Sequence, residues 1–532
     1  MVPSAGKTET PRDRRGGAGA RAAGWLTRRR LAVMAGALAV AVIIVVGCAY
    51  PLQFPPAPLL ARETAAGFVR AYDTNADRRA DYFTIQDASG RIVRIGYSAT
   101  GAPSPTDFVN LDEIPAANCR HVVLILDGIG YDAVEAFRQE GRLRLFHAPA
   151  RLISTFPSMT DLALTDAFRG VTCVGYEVVY FDRATNAVVG GDADYMGLKN
   201  ESWVGNLAYR AGTLMDPLSY LYPDAIFEKE LGDFKKVFDR RDRTDVAAYF
   251  VGTAGLATRQ GAEGQRKVLE AVDRLVEELV QKTRGLVKVT AFSDHGHMLV
   301  RCDRVDFRKY LQDAGWRVAD RLEKPRDVVP VEYGILTYAS FATHDRADLV
   351  ATLLQHPGVD LVVYGEPEAV AVEKPGAKAL VERRGGRYRY RAPAGDPLGL
   401  APVLEKMRAD GLLDADGFAA DADWFDRTLT HTYPDAPDRL WRAFNGLAEH
   451  VPDVVASLKD GYCAGSSSRA FWLPYVASTH GDLERKSSTA FIMSTAGPLL
   501  EPGRGLRHRD VPALMERLTR RPWPPPAEGK PK

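Results

Sequence analysis

Residues 121–130 read HVVLILDGIG, an unbroken apolar run that stops at Asp127-Gly128. A run this short, without polar alternation, reads as a strand buried on both faces. Tyr131–Glu140 follows with helical spacing. The same kind of text returns in AAYFVGTAG (247–255), ahead of an amphipathic stretch at 263–284, and LVKVTAFSDHGH (286–297) runs from a strand into a polar loop. Strands alternating with helices predict an α/β fold, with a mostly parallel central sheet and helices on both faces. Ligands of such sheets bind beyond the C-terminal strand ends, which is where the polar residues of these segments collect.

The composition agrees. Of 532 residues, 46% are apolar and 26% charged, which excludes a disordered chain, a collagen and a disulfide-dense miniprotein. Basic and acidic residues number 69 and 68, so the whole chain carries no nucleic-acid footprint. The charge is nevertheless uneven, since residues 1–30 hold eight basic groups against two acidic ones. Beside them lies the uncharged run LAVMAGALAVAVIIVVGCAY (31–50), preceded by Arg28, Arg29 and Arg30. About 20 apolar residues suffice to span a bilayer, and the positive-inside rule then keeps 1–30 in the cytoplasm and exports the rest. Val45-Val46-Gly47-Cys48 also resembles a lipoprotein processing site, which would leave a lipidated Cys48. Either way the functional domain is expected on the periplasmic or extracellular side, with the membrane as a partner.

Beyond this segment the expected order is a Pro-rich linker (51–65) and a small β module (66–110). A catalytic domain (119–510) follows, carrying a cap insertion at about 321–445, and then a tail (511–532) whose end, PWPPPAEGKPK, reads as disordered. FTIQ, DASG and RIVRIGY form a hairpin pattern inside the module. Asp73, Asn75, Asp77 and Asp81 alternate oxygen ligands as calcium loops do, although Arg78 takes the place of the usual glycine; the same text also reads as a solvated acidic turn. Cys119, Cys173, Cys302 and Cys463 allow three pairings in an exported compartment, or none.

Four fragments carry chemistry: LILDG (124–128), STFPSMT (154–160), FSDHGH (292–297) and STHGD (478–482). In this order they resemble the alkaline phosphatase superfamily, in particular its type I phosphodiesterase/nucleotide pyrophosphatase branch. The resemblance covers about 119–500 and implies an alkaline-phosphatase-like fold. It also implies metal ligands at Asp127, Asp294, His295 and His480, with Thr155, in its TFP context, as nucleophile and further ligand. Ser158 and Thr160 are rival hydroxyls. Asp127, Asp294, His295 and the Thr155 oxygen together supply one nitrogen and three oxygens, a set that suits zinc or manganese. The implied activity is a metal-dependent phosphoric ester hydrolase, phosphodiesterase-like, working through a phospho-threonine.

The chain also departs from that branch. The Asp and His of its second metal site fall on Ala254 and Thr258, leaving only His480 there. Three readings follow: a single-metal centre like that of the membrane-bound phospho-group transferases, replacement ligands from His297, Asp192 or Asp194, or a degenerate binding relative. The text after the nucleophile, DAFRGVTCVGYEVVYFD, also differs, so substrate specificity does not transfer. A sulfatase is disfavoured, since no CxPxR-type context occurs, and VVGGDADYMG is no phosphate loop, since no Lys-Ser/Thr follows it. His121 reads as structural, His344 and His431 as cap residues open to substrate, and Arg301, Arg304 and Arg308 as either phosphate attractors or a solvated face.

Overall fold

The computed structural model describes residues 54–65, 67–98, 105–241, 245–473 and 475–525. The expected membrane or lipoprotein segment at 31–50 lies outside them; among the described residues no helix is long and apolar enough to cross a membrane.

Seven strands make the central sheet: β1 (Arg120–Leu126), β2 (Ala150–Ile153), β3 (Tyr209–Arg210), β4 (Val246–Phe250), β5 (Val287–Phe292), β6 (Thr489–Ser494) and β7 (Gly505–Arg507), in the order β3-β4-β1-β5-β6-β2-β7. Only β6 runs antiparallel to its neighbours. Side chains alternate across a strand, and β1 shows what each face buries. Val122, Leu124 and Leu126 pack with Val268, Val272 and Leu275 of the helix Ala262–Lys282 and with Phe234 of the helix Pro223–Arg240. Val123 and Ile125 pack on the other face with Leu164 and Phe168 of the helix Thr160–Phe168 and Leu514 of the helix Val511–Thr519. The expected sheet with helices on both faces is therefore present.

The module before it is a five-stranded antiparallel sheet spanning 60–110, and the expected hairpin pairs Tyr82–Gln86 with Ile92–Tyr97. The cap is larger than its expected limits. It is a nine-stranded sheet that draws strands from Arg317–Val318 to Val454–Leu458, with helices such as Ala436–Phe444 packed on it. The disulfide Cys302–Cys463 joins the two ends of this region, while Cys119 and Cys173 are free and buried.

The tail departs from expectation. Trp523, 5% exposed, packs against Phe168 with ring centroids 5.1 Å apart and donates from its indole nitrogen to the Ala167 carbonyl. One buried aromatic residue outweighs the proline-rich composition around it. Residues 526–532 lie outside the description.

Candidate metal centre

The site forms where β1 and β5 end side by side. Their register pairs Phe292 with Ile125, so the loops beginning at Asp127 and Ser293 emerge together. Asp127, Asp294 and His295 bring one ligand atom each within 4.8 Å of one another. His295 Nε2 lies 3.3 Å from Asp294 Oδ2 and 3.8 Å from Asp127 Oδ1. Asp294 is fully buried. Its Oδ1 accepts the Gly128 amide (3.0 Å), the His295 amide (2.9 Å) and the Ser293 hydroxyl (3.2 Å). Its Oδ2 is buried without a partner. Three donors thus lock the carboxylate and leave one oxygen bare toward Asp127 and His295.

Asp127 accepts a hydrogen bond from the buried Tyr249 hydroxyl at the end of β4. Burial, then the neighbouring Asp294 carboxylate, push the Asp127 carboxyl well above the usual carboxylate range. A divalent ion removes that conflict by offsetting both negative charges. The bare Asp294 oxygen and the donor set of two carboxylates and an imidazole fit such an ion.

A second group adjoins the first. His295, His297 and His480 also bring nitrogens within 4.8 Å of one another. His295 Nδ1 faces the Gly296 carbonyl at 2.9 Å, and His480 Nδ1 the Ser158 carbonyl at 2.8 Å. A carbonyl only accepts, so each Nδ1 donates and each Nε2 keeps its lone pair, the arrangement in which histidines bind metals. Burial, then the other two rings, hold His297 well below the usual imidazole range; burial, then His295, hold His480 down to about 3.

The hydroxyl that meets this cluster is that of Thr160. It opens the helix Thr160–Phe168 and lies 3.2 Å from His295 Nε2. Thr155, which the TFP context selects, is buried, and its hydroxyl donates to the Pro157 carbonyl at 2.7 Å. Its own carbonyl is held by Arg439. Ser158 is likewise occupied, donating to the Thr155 and Asp482 carbonyls.

No protein family matches the chain by sequence, and no curated protein does. Solved structures resemble it at low identity. Phosphonoacetate hydrolase from Sinorhizobium meliloti 1021, in complex with phosphonoformate, is 14% identical over 76% of this chain and 96% of its own, with a TM-score of 0.39. Murine ectonucleotide pyrophosphatase/phosphodiesterase 5 is 12% identical over 75% and 95%, with a TM-score of 0.42. Its human counterpart is 11% identical over 75% and 95%, with a TM-score of 0.41.

The remaining expected residues divide clearly. His297 joins the cluster; Asp192 pairs with Arg469 and Asp194 with Lys199. Ala254 and Thr258 lie buried in the helix Gly252–Gln260, and the Thr258 carbonyl accepts from the Ala477 amide. His121 is structural, its Nε2 2.8 Å from the Thr290 hydroxyl, and His431 faces the Gly399 carbonyl. His344 is exposed. Arg304 donates to the Gly465 carbonyl and Arg308 to Glu332, while Arg301 lies over the Tyr475 ring. In the loop of Asp73, Asn75, Asp77 and Asp81 the oxygens accept hydrogen bonds from the loop's own residues: Asp73 from the Asp77 and Arg78 amides, Asn75 from Asp77, Asp77 from Arg79, and Asp81 from Thr74.

Two residues escape sequence reading. Tyr249 belongs to the apolar strand Val246–Phe250 and looks like core. Arg439 is 3% exposed and donates to the Thr155, Pro434 and Leu483 carbonyls and to the Ser158 and Ser488 hydroxyls. It braces both the loop that leads to Thr160 and the loop behind His480, and burial pushes its guanidinium down to about 10. The available signal is its place beside Leu440 on the apolar face of the helix Ala436–Phe444.

Proposed function

We propose that this protein is a metal-dependent phosphoric ester hydrolase, phosphodiesterase-like, with Thr160 as its nucleophile. The reading is carried by one observation: a threonine hydroxyl at a helix start lies 3.2 Å from His295, inside a buried group of two carboxylates and an imidazole. An ion held by Asp127, Asp294 and His295, zinc or manganese by donor type, would stabilise charge on the phosphoryl oxygens. The helix start adds backbone N–H groups and the positive end of the dipole for an anion. The Thr160 oxygen attacks phosphorus and loses its proton to solvent; the bond to the leaving alkoxide breaks, and that alkoxide takes up a proton. Water then cleaves the phospho-threonine, returning the hydroxyl and releasing the phosphate monoester.

The exported, membrane-anchored placement belongs to the same proposal. It is supported by the disulfide Cys302–Cys463, a bond that persists in oxidising compartments. A second reading, transfer of the phospho-group to a lipid or glycan alcohol, is favoured by exposed Leu299 and Val300, just beyond His297. Turnover of an aryl phosphodiester with zinc or manganese, with and without added alcohols, tests both readings. No turnover with any divalent ion leaves a degenerate binding relative.

A further inference from the structure

The stretch in which this chain departs from the phosphodiesterase branch, DAFRGVTCVGYEVVYFD (166–182), builds a cleft of its own. Tyr176, Glu177, Tyr180 and Phe181 line one side, and Tyr338 of the cap sheet and His450 line the other. The cleft measures about 300 Å³ with its open side included, the low end for ligand pockets, so its occupant is small. Glu177, Tyr180 and His450 are half-buried, and the cleft opens to solvent there. None of Asp127, Thr160, Asp294, His295 and His480 lines it.

Its walls are aromatic. Tyr176 and Tyr338 meet edge to face, with centroids 6.4 Å apart, and His450 stacks on Tyr180 at 4.4 Å. Lys199 Nζ, beside Asp194, already lies over the Tyr180 ring at 5.4 Å, but that lysine does not line the cleft. Glu177 is the one carboxylate among the lining residues, and no lysine or arginine lines the cleft with it. Its Oε1 accepts the Gly334 amide at 2.8 Å, a neutral partner. Arg469, whose charge also reaches Glu177, is engaged by Asp192 and by the Tyr333 hydroxyl at 2.6 Å. Burial pushes the Glu177 carboxyl up to about 7.

A carboxylate drawn out of water without a cation is costly. Calcium or magnesium would need several oxygen donors, and the cleft offers one carboxylate. A substituted ammonium asks for less: one negative charge, and ring faces against its methyl groups.

We propose that this cleft binds a small substituted ammonium cation, held by Glu177 and the surrounding rings, at a site separate from the metal centre. The site does not depend on the reading of Asp127, Asp294 and His295 as metal ligands. It is nevertheless close to the loop of His480: Tyr338 lines the cleft, and its ring lies where a Cβ on Gly481 would meet it at 2.7 Å.

The test is a ligand-detected NMR titration of the full chain with tetramethylammonium chloride, at an ionic strength held constant with sodium chloride. Tert-butanol serves as a neutral probe of similar size. Saturable binding of tetramethylammonium is expected, with tert-butanol at least about tenfold weaker. Glu177→Gln should weaken tetramethylammonium about tenfold, and Phe181→Leu, which keeps an apolar side chain but loses the ring, several-fold. Chelation and Asp294→Asn should leave the affinity unchanged, which separates this site from the metal centre. If thermal melting shows that Glu177→Gln does not fold, Phe181→Leu carries the test. Equal affinity for the two probes, no saturation by tetramethylammonium, or folded variants that bind it as the wild type does overturns the proposal and leaves the metal centre standing.

Discussion

Thr160 and Thr155 lie five residues apart, and their environments make opposite demands on substitution. Thr160→Ala removes the hydroxyl that contacts His295 and keeps all three candidate ligands, Asp127, Asp294 and His295, in the chain. Loss of a covalent nucleophile costs on the order of 10³–10⁶ in kcat, while zinc stoichiometry should be unchanged. Thr155→Ala removes one buried hydrogen bond, to the Pro157 carbonyl. Such a bond is worth about 0.5–1.5 kcal/mol net, a fall in Tm of no more than about 2–4 °C per kcal/mol, and turnover should stay within a few-fold. The assay is initial-rate hydrolysis of an aryl phosphodiester alongside thermal melting, with acid quenching and peptide mass mapping to locate the phosphoryl group. Thr160→Ala retaining more than about a tenth of wild-type turnover, with Thr155→Ala nearly dead, would refute the assignment.

Other outcomes follow from the same structure. Chelation should lower Tm, and zinc at about 100 times its dissociation constant should restore about 2.7 kcal/mol, read as a shift in the melting curve. Asp327, 1% exposed, is held down to about 2, first by its hydrogen bond from Arg317 and further by the Glu323 and Lys324 amides. A depressed carboxylate stabilises the fold above its ordinary value of 3.8 and loses that contribution as pH falls toward 2. Asp327→Asn should therefore cost about 1–3 kcal/mol in urea midpoints at pH 7 and 5, and less at pH 3. Trp523→Ala should cost about 3–5 kcal/mol by the same measurement; a loss below about 1 kcal/mol would restore the reading of that segment as a loose tail. Replacing Cys302 and Cys463 together by serine should cost about 2–4 kcal/mol, with unchanged mobility on reducing gels and altered mobility on non-reducing ones.

Much of the fold is legible from local text. Period and composition suffice for the buried strands at 122–126, 246–250 and 287–292, for the helix at 262–282 and for the hairpin at 82–97, because each depends on which side chains neighbour one another along the chain. Asp127, Asp294 and His295 were singled out by the resemblance of their fragments to a family, and they meet because a parallel sheet delivers its strand ends to one edge. The cap limits are not, because Val454–Leu458, far along the chain, pairs between Tyr338–Thr343 and Val359–Glu366.

By itself the sequence determined the class of sheet, the edge at which ligands collect and the donor types placed there, all consequences of short-range pattern. Which threonine stands beside the imidazole, whether His297 turns inward, and that a buried arginine from the cap braces the loops of Thr160 and His480 were decided only by tertiary structure. STFPSMT offers several hydroxyls of nearly equal local claim. The choice among them falls to partners more than a hundred residues away, Arg439 holding the Thr155 carbonyl and His295 meeting Thr160, whose positions no local pattern encodes.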